Sequence, residues 1–302
     1  MRGKWARVAS LALAFVTMAM LSIVSVASAE LTGAFTRFGF CPRKAPEVSR
    51  CVYSVTDGGE VVLGSKTVPI VKPVTLQGGY TRPNFEEESP EFLFSKFVGA
   101  TNGVTLSKAP QPVPGGLLGL LPPESSPPLI NALVKAAVEN GLTGVSSTLE
   151  LARPANEIRL SENHLAEGEG VALVLPLKAR LENPLLGSSC YVGSSANPIY
   201  WELTTGKTNP PLPNESINGS TGVINFLEGA AIIEAENAVL IDNAWAAPEA
   251  DGCGGLLSAV MDPIINLASG LPAKAGTNTA ILKNDISETT ADSVNENDEA
   301  NP

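Results

Sequence analysis

The chain has 302 residues, 44% of them hydrophobic, with 31 acidic and 20 basic side chains and a net charge of −11. That balance repels phosphate backbones and anionic headgroups, so nucleic-acid binding and electrostatic attachment to membranes are excluded as expectations. A single histidine and four cysteines leave few ways to build a metal site.

The first element is a leader. Arg2, Lys4 and Arg7 precede an apolar stretch from Val8 to Val26, and Ala27-Ser28-Ala29 follows. A basic region, an apolar region and small residues in that order read as a signal peptide over 1–29. A retained membrane anchor is the alternative. Loss of the three basic residues takes the charge from −11 to −14. No later stretch is long and apolar enough to span, so no integral membrane segment is expected after cleavage.

An even cysteine count in an exported chain predicts disulfides. Cys41 and Cys51 stand ten apart on an expected hairpin and are paired on that ground, which leaves Cys190 with Cys253. Residues 30–283 read as one β-rich domain. Short Val-, Ile-, Leu- and Thr-rich runs bounded by Gly, Pro, Asn or Ser predict strands at 50–56, 60–63, 67–76, 103–107, 145–152 and 156–160. The acidic triplet Glu86, Glu87 and Glu88 lies between them and lacks the spacing of a calcium loop.

A proline-rich loop at 109–128 surrounds GGLLGLLPP. Leu117, Leu118, Leu120 and Leu121 form either an exposed patch for a lipid, a partner or an apolar ligand, or ordinary core. Core is the preferred reading, because uncompensated leucine clusters are uncommon on soluble surfaces. A helix over 127–140 follows, with Ser126 as cap, Pro127 in the first turn and Asn140-Gly141 as stop. His164 sits in a polar stretch and reads as a solvated loop residue.

The clearest strand is VALVLPLKARLE at 171–182. Val171, Leu173, Leu175, Leu177, Ala179 and Leu181 share one face, as period-two burial requires. Pro176 has no N–H and predicts an edge or a bulge. GSSCYVGSS at 187–195 suggests a nucleophile at first sight. A serine nucleophile needs a base within reach. The chain has no G-x-S-x-G elbow and no serine three residues before a lysine, and Cys190 is expected to be oxidised. The stretch therefore reads as turns around a disulfide, and no catalytic residue is assigned.

Further strands are predicted at 199–205, 223–227, 231–234, 238–242 and 277–283, with a short helix capped by Asp262 and opened by Pro263. Residues 284–302 carry six carboxylates and no cation, and predict a disordered acidic tail. Many short strands with only one or two helices predict an all-β sandwich or barrel; an α+β two-lobed arrangement is the alternative.

ENPLLGSSCYVGSSANPI at 182–199, with GCGG at 252–255, resembles uncharacterised secreted proteins of high-GC actinobacteria. The resemblance implies export and a Cys190–Cys253 bridge, and implies no activity. The expected function is a non-catalytic binding or structural module, secreted or associated with the cell envelope, with an envelope or extracellular partner. A carrier of an apolar ligand or lipid and a carboxylate-dependent hydrolase are the alternatives. No cofactor and no metal are expected.

Overall fold

A computed structural model describes residues 31–82 and 94–301. The leader and the triplet Glu86, Glu87 and Glu88 lie outside those residues. In chain order the strands begin with β1 (Arg50–Leu63), β2 (Lys66–Pro69), β3 (Val74–Tyr80), β4 (Ser95–Gly99) and β5 (Gln111–Pro112). Helices α1 (Gly116–Leu120) and α2 (Pro128–Glu139) come next, then β6 (Ser146–Leu151), β7 (Arg159–Leu160) and α3 (Glu162–Glu167). β8 (Leu173–Glu182), β9 (Tyr191–Val192), β10 (Ile199–Leu203), β11 (Val223–Leu227), β12 (Ile232–Asp242) and β13 (Ala250–Asp251) follow. Helix α4 (Ser258–Ser269), β14 (Thr279–Thr290) and α5 (Ala291–Ala300) complete the chain. The expected all-β frame with short inserted helices is the observed one.

Pairing is antiparallel throughout, in the order β12, β14, β1, β3, β4, β7, β8 and then β10. Thr204, one residue past β10, bridges Ile241 of β12 with N–H to carbonyl bonds of 2.9 Å in both directions. The ring strands thereby close into an eight-membered barrel, while β11 stays outside the ring as an edge strand paired with β12. Of the two shapes read from the sequence, the barrel is the one formed.

Closure requires a bend, and β1 supplies one. Its register against β14 shifts between Thr56 and Gly58. Gly59 there has φ +106°, and a Cβ would overlap the carbonyl of Ile281. A bulge with glycine beside it bends a strand at the point where a side chain has no room. The same bulge joins the two predicted strands at 50–56 and 60–63 into one.

Pro176 is not at an edge. β8 is paired on both sides, with β10 along one and β7 then β6 along the other. Pro176 falls where β7 hands over to β6, and its carbonyl accepts from Ala152 N at 2.9 Å on that side. The missing N–H lies in the gap between two partner strands, so little ladder is lost.

The tail at 284–302 is the largest correction. Residues up to Thr290 are the second half of β14, paired to β1 on one side and to β12 on the other. Thr290 then caps α5 by accepting from Ser293 N at 3.1 Å. Val294 is fully buried in a second core with Phe35, Phe38, Val48 and the Cys41–Cys51 bridge. Asp298 pairs with Arg43 at 3.0 Å, and Arg43 and Lys44 hold its carboxyl below the usual range. The tail contains no cation, but its counterions arrive from the other end of the chain.

Other departures are local. α4 starts at Ser258, four residues before the expected cap, and Pro263 lies inside it. Asp262 accepts from Cys253 N at 2.8 Å and Gly252 N at 3.1 Å instead of capping its own helix. α2 has Pro127 at its cap position, and Ser126 offers its carbonyl, not its hydroxyl, to Asn131 Nδ2 at 2.9 Å. No strand forms at 103–107, where Leu106 makes a single bridge to Leu76. β3 is paired instead by β4, at Gly78–Tyr80, and β4 escaped the sequence reading because Phe97 and Val98 are its only large apolar residues and they are adjacent, without alternation.

Both expected disulfides are present, Cys41–Cys51 and Cys190–Cys253, with Cα atoms 5.6 and 4.1 Å apart. The first is not across a hairpin. Cys41 follows a 3-10 helix at Gly33–Phe38 and ties it to β1. The second joins the start of β9 to the end of β13, and those strands also pair. Among the described residues no helix is long and apolar enough to cross a membrane.

Candidate functional site

The alternation that builds the barrel puts one face of every ring strand inside. Val52, Ser54 and Thr56 of β1, Leu76 of β3 and Phe97 of β4 point into a cavity. Leu160 of β7, Leu173, Leu175 and Leu177 of β8, and Trp201 and Leu203 of β10 continue its wall. Leu240 of β12 with Leu282 and Ile286 of β14 closes it. The volume is about 60 Å³. The lining runs from the Thr56–Val74 pair to the Val52–Glu288 pair, four residues along β1. At about 3.3 Å per residue that is about 13 Å of barrel. This narrow interior space is the slot.

The Thr56 hydroxyl donates to Asn284 Oδ1 at one end of the slot, and the other end is the more polar. Glu288 faces it from β14, with one oxygen 2.7 Å from Arg50 Nη2 and the other accepting from the Tyr80 hydroxyl at 2.6 Å. Arg50 Nε also lies 3.2 Å from Glu162 of α3. Burial raises the pKa of Glu288, and the nearby charge of Glu162 adds to this; Arg50 and Tyr80 pull it back. Burial likewise pushes the Tyr80 hydroxyl well above its ordinary value, helped by the two carboxylates. Two carboxylates thus share one guanidinium at this end.

Helix α3 covers the polar end. Leu165 on it contributes to the slot, while Glu162 on it reaches Arg50. Ser161 caps the helix by accepting from His164 N, and Gly168 at φ 70° ends it. His164 is part of this helix, not of a loop, and its Nδ1 lies 2.7 Å from the Val171 carbonyl.

The leucine run resolves mostly as core. Leu117 and Leu121 are fully buried and Leu120 nearly so, because 116–120 folds into α1 and packs on α4. Only Leu118 is exposed. None of the four lines the slot, and the preferred reading of the run as core agrees with the burial of three of them.

The serine patch is a groove on the outside, of about 450 Å³, lined by Ser189, Ser194, Ser195, Lys178 and Tyr191. Ser189 Oγ donates to the Gly252 carbonyl at 3.3 Å, and Ser194 Oγ accepts from Asn197 N at 3.0 Å. Lys178 lies 3.6 Å from Glu150 and stacks 4.4 Å over the Tyr191 ring. Ser194 holds a turn, Ser189 ties its loop to the one at Gly252, and Lys178 is committed to Glu150. A neighbouring groove of about 610 Å³ holds Tyr200, Glu202, Asp242, Trp245 and Lys274. Burial raises the Asp242 pKa, and its two oxygens accept from Glu202 N at 2.7 Å and Ala244 N at 2.9 Å. Among the described residues no cluster of three metal-ligating side chains occurs.

What sequence reasoning missed is the slot itself. Its signal was present in the I-Y-W-E-L run of β10, where Ile199, Trp201 and Leu203 alternate with Tyr200 and Glu202. Nothing in that run says which strands face it. Compared with protein-family models, curated proteins and solved structures, the chain matches none.

Proposed function

We propose that this is an exported, non-catalytic binding protein whose barrel interior carries a slender apolar molecule. The observation that supports it is the slot: a cavity enclosed by all eight strands of the closed sheet and lined almost wholly by apolar side chains. Well-packed interiors leave few voids larger than a water molecule, and apolar pockets with a few polar groups are the usual ligand sites. The two disulfides fit export, as does the leader expected at 1–29. Transfer of an alkyl chain from water into such a slot is favourable by about 0.8 kcal/mol per buried methylene.

The test is titration of the purified protein with linear alkanols from hexanol to dodecanol, followed by tryptophan fluorescence, since Trp201 lines the slot. Saturable binding of one molecule per chain is expected. Leu175→Phe, which fills the slot opposite Trp201, should abolish binding while the protein still melts cooperatively. Absence of saturable binding, or binding indifferent to Leu175→Phe, would refute the reading.

A further inference from the structure

The slot has one feature that an apolar core does not need. Trp201 is 2% exposed, and its Nε1 has no hydrogen-bond partner. Among the described residues it is the one buried, unpartnered polar side-chain atom that belongs to a residue lining the slot. A buried N–H left unpaired carries a full desolvation penalty, and native proteins rarely leave one so. The neighbouring Trp245 ring, edge-on with its centroid 5.9 Å away, is at most a weak acceptor. Ser54, Thr56 and Asn284 also line the slot, but none of them accepts from Trp201 Nε1, which stands opposite Leu175 and two residues from Leu203.

The polar end of the slot states what the ligand is not. Arg50 is committed to Glu288 and Glu162, and both oxygens of Glu288 are taken by Arg50 and Tyr80. An ionised acid would meet two carboxylates against one guanidinium, and its own charge would have to enter an apolar slot. No carboxylate in the wall is left free to pair with a cation.

We propose that the slot binds an uncharged linear lipid bearing a carbonyl oxygen, a ketone or an ester, which accepts a hydrogen bond from Trp201 Nε1. This rests on the reading of the slot as a ligand site and adds the chemical class. The indole N–H selects the carbonyl, the leucine walls take the chain on either side of it, and the carboxylates at the covered end exclude fatty acids in their ionised form.

The experiment compares methyl hexyl ketone with octane by calorimetry, on the full-length protein and on Trp201→Phe. Phenylalanine keeps the apolar wall and removes the donor. The preference for ketone over alkane should fall about five- to tenfold in the variant, the size of one net hydrogen bond. In the unmodified protein, the Trp201 indole N–H proton resonance should move downfield with the ketone and not with octane, a readout that holds even if the variant fails to fold. A preference unchanged by Trp201→Phe, or an indole resonance that responds alike to both compounds, would overturn the assignment while leaving the slot as a ligand site. If neither compound binds, the slot is packing, and both readings fall together.

Discussion

Ending the chain after Lys283 removes only what its composition marks as a solvated tail, yet the structure requires such a chain not to fold. The cut takes Ile286, at 8% exposure, and Val294, fully buried. Burial of one such side chain is worth about 1.5–3 kcal/mol, so these two account for about 3–6 kcal/mol. It also takes Glu288 from Arg50, whose side chain is a quarter exposed. Arg50 keeps Glu162, but the buried Tyr80 hydroxyl loses its acceptor, and a buried polar group left unpaired costs about 1–3 kcal/mol. Together the losses reach the range of a whole domain's stability, about 5–15 kcal/mol. The residues removed no longer need ordering, which offsets part of this, but β1 and β12 lose their common neighbour. A cut after Thr290 is the graded control. It spares β14 and removes α5, at a cost of about 2–3 kcal/mol from Val294 and Ala291, a fall in Tm of about 5–10 °C. Far-UV circular dichroism and thermal melts of the two truncated chains measure both. A chain ending at residue 283 that melts cooperatively at the full-length temperature would refute the reasoning.

Three further outcomes follow from the same contacts. Asp298 is held below the usual carboxylate range by Arg43, so it stabilises the fold above its unfolded pKa, and that contribution disappears as pH falls through the folded one. Asp298→Asn should therefore lower the guanidinium midpoint at about pH 6 and leave it unchanged at about pH 2; an equal effect at both would contradict the ion pair. Replacing Cys190 and Cys253 by serine opens a loop with a sequence separation of 63, with an expected loss of about 4 kcal/mol against about 3 for the shorter bridge. Denaturant titrations of the two double variants test that order, and recovery of Cys190 and Cys253 as alkylatable thiols from the unreduced parent would remove its basis. Gly59→Ala places a side chain against the Ile281 carbonyl at positive φ and should cost at least about 2 kcal/mol; unaltered stability would mean that the β1 bulge does not bend the barrel there.

What could be read from the order of residues was local. Period-two alternation in VALVLPLKARLE marked β8 and the face it turns to the slot, though Val174 and Pro176 on its other face are buried as well; the even cysteine count marked two bridges, and Ser126-Pro127-Pro128 with Asn140-Gly141 bracketed α2. Each of these depends on neighbours a few residues away, or on chemistry that a residue type carries with it. The ring closure, the ordered C-terminal segment and the slot depend instead on which strands meet. Thr204 finds Ile241, Glu288 finds Arg50 and Tyr80, and Asp298 finds Arg43, over separations of up to 255 residues in the case of Asp298 and Arg43. A polar residue with a distant partner has the same composition as one without, so 284–301 looked solvated until its counterions were placed. Alternation likewise says that Trp201 faces inward, but only the assembled wall shows that its indole N–H has nothing to meet.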